Sequence, residues 1–274
     1  VHCLFLENSH LCYDGFMDWA VKRRLIYIGS IVAIGLVIAF FNLYPKLNTS
    51  PTCSDGKQNG TEAGVDCGGS CLSACFFQAN DLIVRWTKPF KVSDGLYNAV
   101  AYVENQNAQI GIPSIKYEFK LYDEQNVFIT RRTGQTFVGP NSRVPILEPG
   151  ISTGNRIPKR VAFTFLEEPT WIQIDPRTEK LSVSVSDTIL SEDSNEPRLE
   201  AQFKNDSIYN LTDVSLGVVL YDADGTAIAA SKTLVTESKS RTATPVYFTW
   251  PEKFSIPVER IEVIPRIDIF DFTF

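Results

Sequence analysis

Four cysteines crowd into one stretch of the 274-residue sequence, at Cys53, Cys67, Cys71 and Cys75, and none follows them. Thiols so placed either pair as disulfides or bind a soft metal. The gap of 13 residues between Cys53 and Cys67 and an oxidising surrounding disfavour a four-thiolate zinc site. An even number in an exported segment reads as two disulfides, and four cysteines allow three pairings among which the sequence does not choose. Closing a loop of ~15 residues contributes about 3 kcal/mol in the chain-entropy model, enough to hold a small unit with little core. Between the cysteines stand Asp55, Asn59, Glu62 and Asp66, oxygen ligands that could take a calcium ion. Their spacing is not that of an EF-hand loop. Asp and Asn equally serve plain turns, as do Gly56, Gly60, Gly64, Gly68 and Gly69. The expectation is a disulfide-rich module over 53–75 without a cofactor, calcium being the alternative.

Little other chemistry is on offer. Both histidines, His2 and His10, lie with Cys3 and Cys12 in residues 1–16, ahead of the single methionine, Met17. That stretch reads as upstream or leader sequence rather than as a metal site. The rest of the chain has no histidine, no G-x-S-x-G and no Gly-rich phosphate loop. Glu167-Glu168 and Asp222 with Asp224 are paired carboxylates in loop-like and turn-like surroundings. Arg131-Arg132 is a basic spot that suits an anionic glycan or partner, or simply an exposed hairpin edge. With no positioned base, nucleophile or metal, the sequence reads as that of a non-enzyme. A net charge of −6 argues against nucleic acid as a partner. Charged residues at 21% and apolar ones at 44% describe a chain that mostly folds around a core.

One segment is made for lipid. Leu25 to Phe41 carries no charge, and Asn42-Leu43-Tyr44 extends the run to 20 residues, the length that spans a hydrocarbon core of ~30 Å. Pro45 and Lys46 are expected to end it. Lys22, Arg23 and Arg24 precede the run and only Lys46 follows closely, so the positive-inside rule puts the N-terminus in the cytoplasm and the rest outside the cell membrane. Phe40-Phe41-Asn42-Leu43-Tyr44 lacks the small residues a signal-peptide cleavage site needs. The expected plan is therefore a cytoplasmic tail over 1–24, a transmembrane helix contacting membrane lipid over 25–44, and a linker over 45–52.

Beyond the cysteines the sequence turns strand-like, with apolar, β-branched and aromatic residues alternating with polar ones between Gly, Pro, Asn and Asp breaks. The second half echoes the first. Leu82-Ile83-Val84 matches Leu181-Ser182-Val183, Tyr102 to Asn105 matches Gln202 to Asn205, and Phe119 to Asp123 matches Val218 to Asp222. Phe163-Thr164-Phe165 is aligned with Phe248-Thr249-Trp250, which leaves extra residues in the first copy. Ile174 to Arg177 is aligned with Val263 to Arg266. Repetition at this period means two copies of one domain. Each copy has the size and rhythm of an immunoglobulin-like sandwich of roughly seven strands, over 78–177 and 178–274. Asp123 to Asn126 and Asp222 to Gly225 supply hairpin turns. The Gly-, Pro- and Ser-rich stretch between Thr130 and Arg160 reads as a long inserted loop, and Ile267 to Phe274 as the end of the last strand.

Two resemblances follow from these residues. Cys53 to Cys71 resembles a small exported motif, C-x-D-G-x-x-N-G-x-E-x-G-x-D-C-G-G-x-C, which implies an extracellular disulfide module. Phe119-x-Leu121-Tyr122-Asp123 resembles the FxLYD family of bacterial exported domains, with Val218 departing from the pattern in the second copy. That resemblance implies a β-sandwich. The expected whole is mainly β, with one N-terminal transmembrane helix, a disulfide-rich segment and two tandem sandwiches. Its expected role is structural, or in binding an envelope protein partner. The alternative is a glycan- or calcium-dependent adhesin or sensor.

Overall fold

Leu96–Asn105 reads Leu-Tyr-Asn-Ala-Val-Ala-Tyr-Val-Glu-Asn and is buried along almost its whole length. Strands of this kind have structure on both faces, and the fold supplies it. A computed structural model describes residues 19–47, 53–174, 181–192 and 196–271. The helix α1 (Trp19–Leu47) comes first, then β1 (Ile83–Ser93), β2 (Leu96–Asn105), β3 (Ile110–Tyr122), β4 (Phe128–Val138), β5 (Ser142–Ser152), β6 (Arg160–Phe165) and β7 (Ile172–Gln173). The second set is β8 (Val183–Ser191), β9 (Arg198–Asn205), β10 (Leu211–Tyr221), β11 (Ala227–Ser238), β12 (Ala243–Thr249) and β13 (Arg260–Arg266).

The first sandwich pairs a β1-β2-β5 sheet with a β4-β3-β6 sheet, on which β7 joins β3. The second pairs β8-β9-β12 with β11-β10-β13. The strand order is the same in both, and every strand pair is antiparallel. Alternate residues of facing strands make each core. Ala99, Ala101 and Val103 meet Tyr117, Phe119 and Leu121 in the first. Leu199, Ala201 and Phe203 meet Leu216, Val218 and Leu220 in the second. Among the described residues the second sandwich has six strands, against the roughly seven that the sequence rhythm implies.

Register revises part of the sequence alignment. Phe119 faces Phe163 across β3 and β6, and Val218 faces Val263 across β10 and β13. Phe248 lies instead on β12, opposite Leu199 of β9. The partner of Phe163 is thus Val263, and no insertion is needed before it. A repeated Phe-Thr doublet misleads the alignment, since inward aromatic residues occur on β6 and on β12 alike. The supposed long loop is also mostly strand, as β4 and β5. Its prolines fit because β5 is an edge strand, bonded on one side only, where a missing N–H is tolerated. The match of Ile174 to Val263 falls too, because Val263 is already the counterpart of Phe163, and residues 175–177 lie outside those described.

The Leu-Tyr-Asp tripeptides have matching physical roles. Leu121 and Leu220 are fully buried. The Arg160 guanidinium lies 4.1 Å from the Tyr122 ring centre, and that of Arg260 lies 3.6 Å from Tyr221, a cation–π arrangement. Asp123 Oδ1 accepts from the Gln125 and Val127 N–H groups, and Asp222 Oδ1 from Asp224 and Thr226, closing each hairpin turn. Asn105 and Asn205, both buried, play the same part in the two sandwiches, each donating to nearby carbonyls: Ile110 and Gly139 for one, Tyr209, Ser238 and Lys239 for the other.

The two sandwiches pack face to face. The outward residues of β2 and β5, Val100 and Leu147, join Phe90 of β1 against Val219, Tyr221, Ala227 and Ala230 of the second sandwich. Four sheets therefore stack in series, and the inner two are covered on both faces. Gly217 is needed there, because a Cβ at that position would come within 2.9 Å of Pro145 Cγ. Across the same face Tyr102 and Tyr221 both donate to Glu262, each at 2.8 Å. Arg266 reaches back to Thr136 Oγ1 at 2.8 Å and the Phe137 carbonyl at 2.7 Å.

Helix α1 begins six residues before Leu25 and continues past Pro45. A proline in the last turn deletes one N–H bond without forcing the following residues out of the helix, and flanking charges do not delimit a helical backbone. Its Trp19–Asn42 portion has a mean hydropathy of 2.3 and no buried residue, so it is long and apolar enough to cross a membrane. At the other end β13 stops at Arg266 rather than continuing. The chain then turns, Asp268 Oδ1 accepting from the Phe270 N–H at 3.1 Å, and sets Phe270 against Phe137.

Candidate functional site

The cysteine module resolves into two disulfides, Cys53–Cys71 and Cys67–Cys75, with Cα separations of 5.6 and 5.1 Å. The four sulfurs are therefore not thiolate ligands. Glu62 Oε1 approaches Cys71 Sγ at 3.4 Å, but both neighbouring sulfurs are spent on the bridge. The four predicted oxygen residues do converge on one loop, where they bond to the chain and to one another. Asp66 accepts from the Asp55 and Gly56 N–H groups at 2.8 and 2.9 Å. Asp55 accepts from the Lys57 N–H at 2.9 Å and from Asn59 Nδ2 at 2.8 Å, and Glu62 from the Asn59 N–H at 3.1 Å. Their carboxylates do the work of turn formation, the role that short polar side chains commonly take in loops. Gly69 is obligatory, since a Cβ there would fall 1.9 Å from the Thr61 carbonyl oxygen.

The module is bolted to the first sandwich. Ala74 N–H donates to the Trp171 carbonyl at 3.0 Å, and Gln173 N–H to the Leu72 carbonyl at 2.7 Å. Ala74 and Trp171 share an apolar cluster with Ile112 and Ile115. Arginines and a glutamate singled out in the sequence are paired. Arg131 lies 3.6 Å from Glu118 and Arg132 3.8 Å from Glu148. Glu167 accepts from the Lys116 N–H at 2.9 Å. The His2, His10, Cys3 and Cys12 stretch lies outside the described residues.

Sequence reasoning missed a cleft of about 750 Å³ lined by Lys88, Lys91, Tyr97, Arg156 and Lys159, with Asp94 at its edge. Its floor depends on Gly95, at φ 71°, where a Cβ would meet the Gly154 carbonyl oxygen at 2.5 Å. Lys88 and Lys91 also border a smaller cavity of about 310 Å³ walled by Trp250, Glu252, Lys253 and Phe254. Lys88 Nζ donates to the Ala227 carbonyl at 2.7 Å, across the sandwich boundary. Lys91 contacts Asp94 at 2.8 Å and Glu252 at 3.3 Å, and these two carboxylates raise its pKa. Arg156 pairs with Asp123, whose carboxyl it holds below the usual range. Among the described residues the exposed Lys159 ammonium has no carboxylate partner. The cleft can hold an anion by charge and N–H donors. Among its lining residues there is no nucleophile with a base in reach. The signal was spread over β1, the β1–β2 turn and the β5–β6 loop, so no local motif marked it.

No family model matches the chain, and no curated protein matches it. Among solved structures, the crystal structure of red sea bream transglutaminase aligns with 69% of this chain and 29% of its own, at 12% identity and a TM-score of 0.23. At that score the likeness carries no argument, and the chain spans under a third of the other protein's length.

Proposed function

We propose that this is a single-pass, membrane-anchored protein whose disulfide module and stacked sandwiches face the extracytoplasmic side. It acts there by binding another component of the cell envelope, not by catalysis. The observation that carries the reading is the order of parts along one chain. A helix apolar enough to span a bilayer, with Lys22, Arg23 and Arg24 at its leading end, is followed by two disulfides and then by a β block. Disulfides persist where the surroundings are oxidising, which agrees with the orientation the positive-inside rule assigns. The shared strand order and the paired Asn105/Asn205 and Tyr-Asp roles support reading the sandwiches as a duplication of one FxLYD-like domain. In intact cells, added protease should digest residues beyond 53, and the four cysteines should resist alkylation until reduced. Protection of the C-terminal half, or free thiols at Cys53 and Cys67, would refute the topology.

The basic cleft favours a second reading, capture of an anionic ligand such as an acidic glycan. Titration calorimetry with a polyanionic polysaccharide should then give binding that weakens with salt and is lost on Lys159→Glu. Unchanged heats in that variant would remove the cleft from consideration.

A further inference from the structure

The disulfide module carries an exposed apolar patch that the sandwiches do not cover. Phe76 is 83% exposed and Phe77 61%, and their rings meet edge to face at 5.9 Å. Phe77 rests on the backbone of Gly64, where a Cβ would come within 3.2 Å of its ring. The next residue, Val65, is 57% exposed, and Leu72 of the same module is 67% exposed. Neighbouring exposed phenylalanines are costly in water, and such a patch marks a surface that something covers. Elsewhere the ectodomain exposes large apolar side chains that are scattered along the strands and loops.

We propose that this patch docks onto the lipid surface of the membrane that α1 crosses, its phenylalanines entering the interface between headgroups and acyl chains. The inference rests on the membrane-anchored reading above. Chain connectivity supplies the reason for lipid as the occupant. Only residues 48–52 separate Leu47 from Cys53, and a fully extended chain of six steps reaches at most ~21 Å. The module therefore cannot leave the neighbourhood of the bilayer, and its effective concentration at the lipid surface is set by a very short tether. Apolar side chains partition into that interface in proportion to the area they bury. Because the module is hydrogen-bonded to Trp171 and Gln173 of the first sandwich, docking it would fix the orientation of the whole β block over the membrane rather than merely tether it.

The test uses the full chain in liposomes of phosphatidylcholine and phosphatidylglycerol that contain a phospholipid with a diazirine on its acyl chain. After photolysis, labelled residues are mapped by mass spectrometry, with a water-soluble carbene reagent as a parallel probe. The expected result is lipid label on residues 25–42 and also on Phe76 and Phe77. In the Phe76→Ser, Phe77→Ser variant the module label should disappear while the helix label is unchanged. Both side chains are exposed, so this variant keeps the fold. Helix label without module label overturns the docking while leaving the anchor intact. In that case, water-phase labelling of the patch means it is open, and protection from both reagents means that a second copy or another protein covers it. Absence of lipid label from both regions overturns the membrane reading itself.

Discussion

Glu262 is the polar hinge of the sandwich-to-sandwich face, and its removal tests the stacked arrangement directly. Tyr102 and Tyr221, 7% and 5% exposed, each donate to one of its oxygens at 2.8 Å. Glu262→Ala leaves two buried hydroxyls without an acceptor, at about 1–3 kcal/mol each. The carboxylate side is reachable by water, which can take over part of the bonding, so the expected loss is ~2–3 kcal/mol in all. Glu262→Gln keeps an acceptor oxygen and should lose about 1 kcal/mol or less. The two variants should converge in their titration. Burial, then the hydrogen bond to Glu262 and its charge, push Tyr221 up to about 12, and the same causes raise Tyr102. A raised pKa in the folded state stabilises the fold fully below the unfolded tyrosine value of about 10. That contribution drains away as pH climbs through about 12 for Tyr221. Removing the charge in either variant should bring tyrosinate absorbance in at lower pH. Urea unfolding of the detergent-solubilised full chain would give the free energies. If Glu262→Ala moved stability by less than about 0.5 kcal/mol and left the tyrosine titration unchanged, the face-to-face packing would be wrong.

Other expectations follow from the same contacts. Val219→Asp, which buries a charge with no partner in the apolar boundary, should cost several kcal/mol and split a single unfolding transition, seen by calorimetry, into two. Asn205→Ala should cost about 1–3 kcal/mol by leaving the buried Ser207 N–H without its acceptor, whereas an exposed control such as Lys253→Ala should be near neutral. Glu104, held at about 2 by the Arg85 hydrogen bond with Arg143 assisting, stabilises the fold above the ordinary value of 4.5. That stabilisation should be lost as pH falls toward about 2, and Arg85→Gln should move the acid transition to higher pH. Replacing Cys67 and Cys75 by Ser opens a bridge of sequence separation 8 and should cost ~2.5 kcal/mol, against ~3 kcal/mol for the Cys53–Cys71 bridge of separation 18. Thermal melts of each variant check the order.

Local chemistry was the legible part. The apolar helix, the cysteine cluster and the turn residues Asp123 and Asp222 act within a few residues of themselves, so spacing alone exposes them. The disulfide pairing was not legible, because three pairings satisfy the same spacing and the choice depends on how Gly64, Gly68 and Gly69 fold the loop. Strand alignment failed at Phe163 because β6 and β12 both carry inward aromatics in a Phe-Thr doublet and only the register distinguishes them. The stacking had a signal that went unused. Ala99 to Val103 and Val218 to Tyr221 are continuous apolar runs, the pattern of strands buried on both faces, whereas an isolated sandwich strand alternates. The basic cleft had no such signal, since its cations come from separate elements brought together only by folding.

Stacking also changes which surfaces remain for a partner. Two sandwiches joined end to end would each expose two sheet faces. Here only the outer sheets are open, and their central strands turn polar residues outward: Lys116, Glu118 and Lys120 on β3, Arg198, Glu200, Gln202 and Lys204 on β9. Several of these are already neutralised by neighbours, as Glu118 is by Lys120 at 2.9 Å. Two further surfaces are the cationic cleft, lined by Lys88, Lys91, Arg156 and Lys159, and the apolar patch on the disulfide module. The first suits an anionic ligand and the second a lipid surface. Stacking closes the inner face of each sandwich, so the two proposed surfaces are tested by experiments directed at Lys159 and at Phe76 with Phe77.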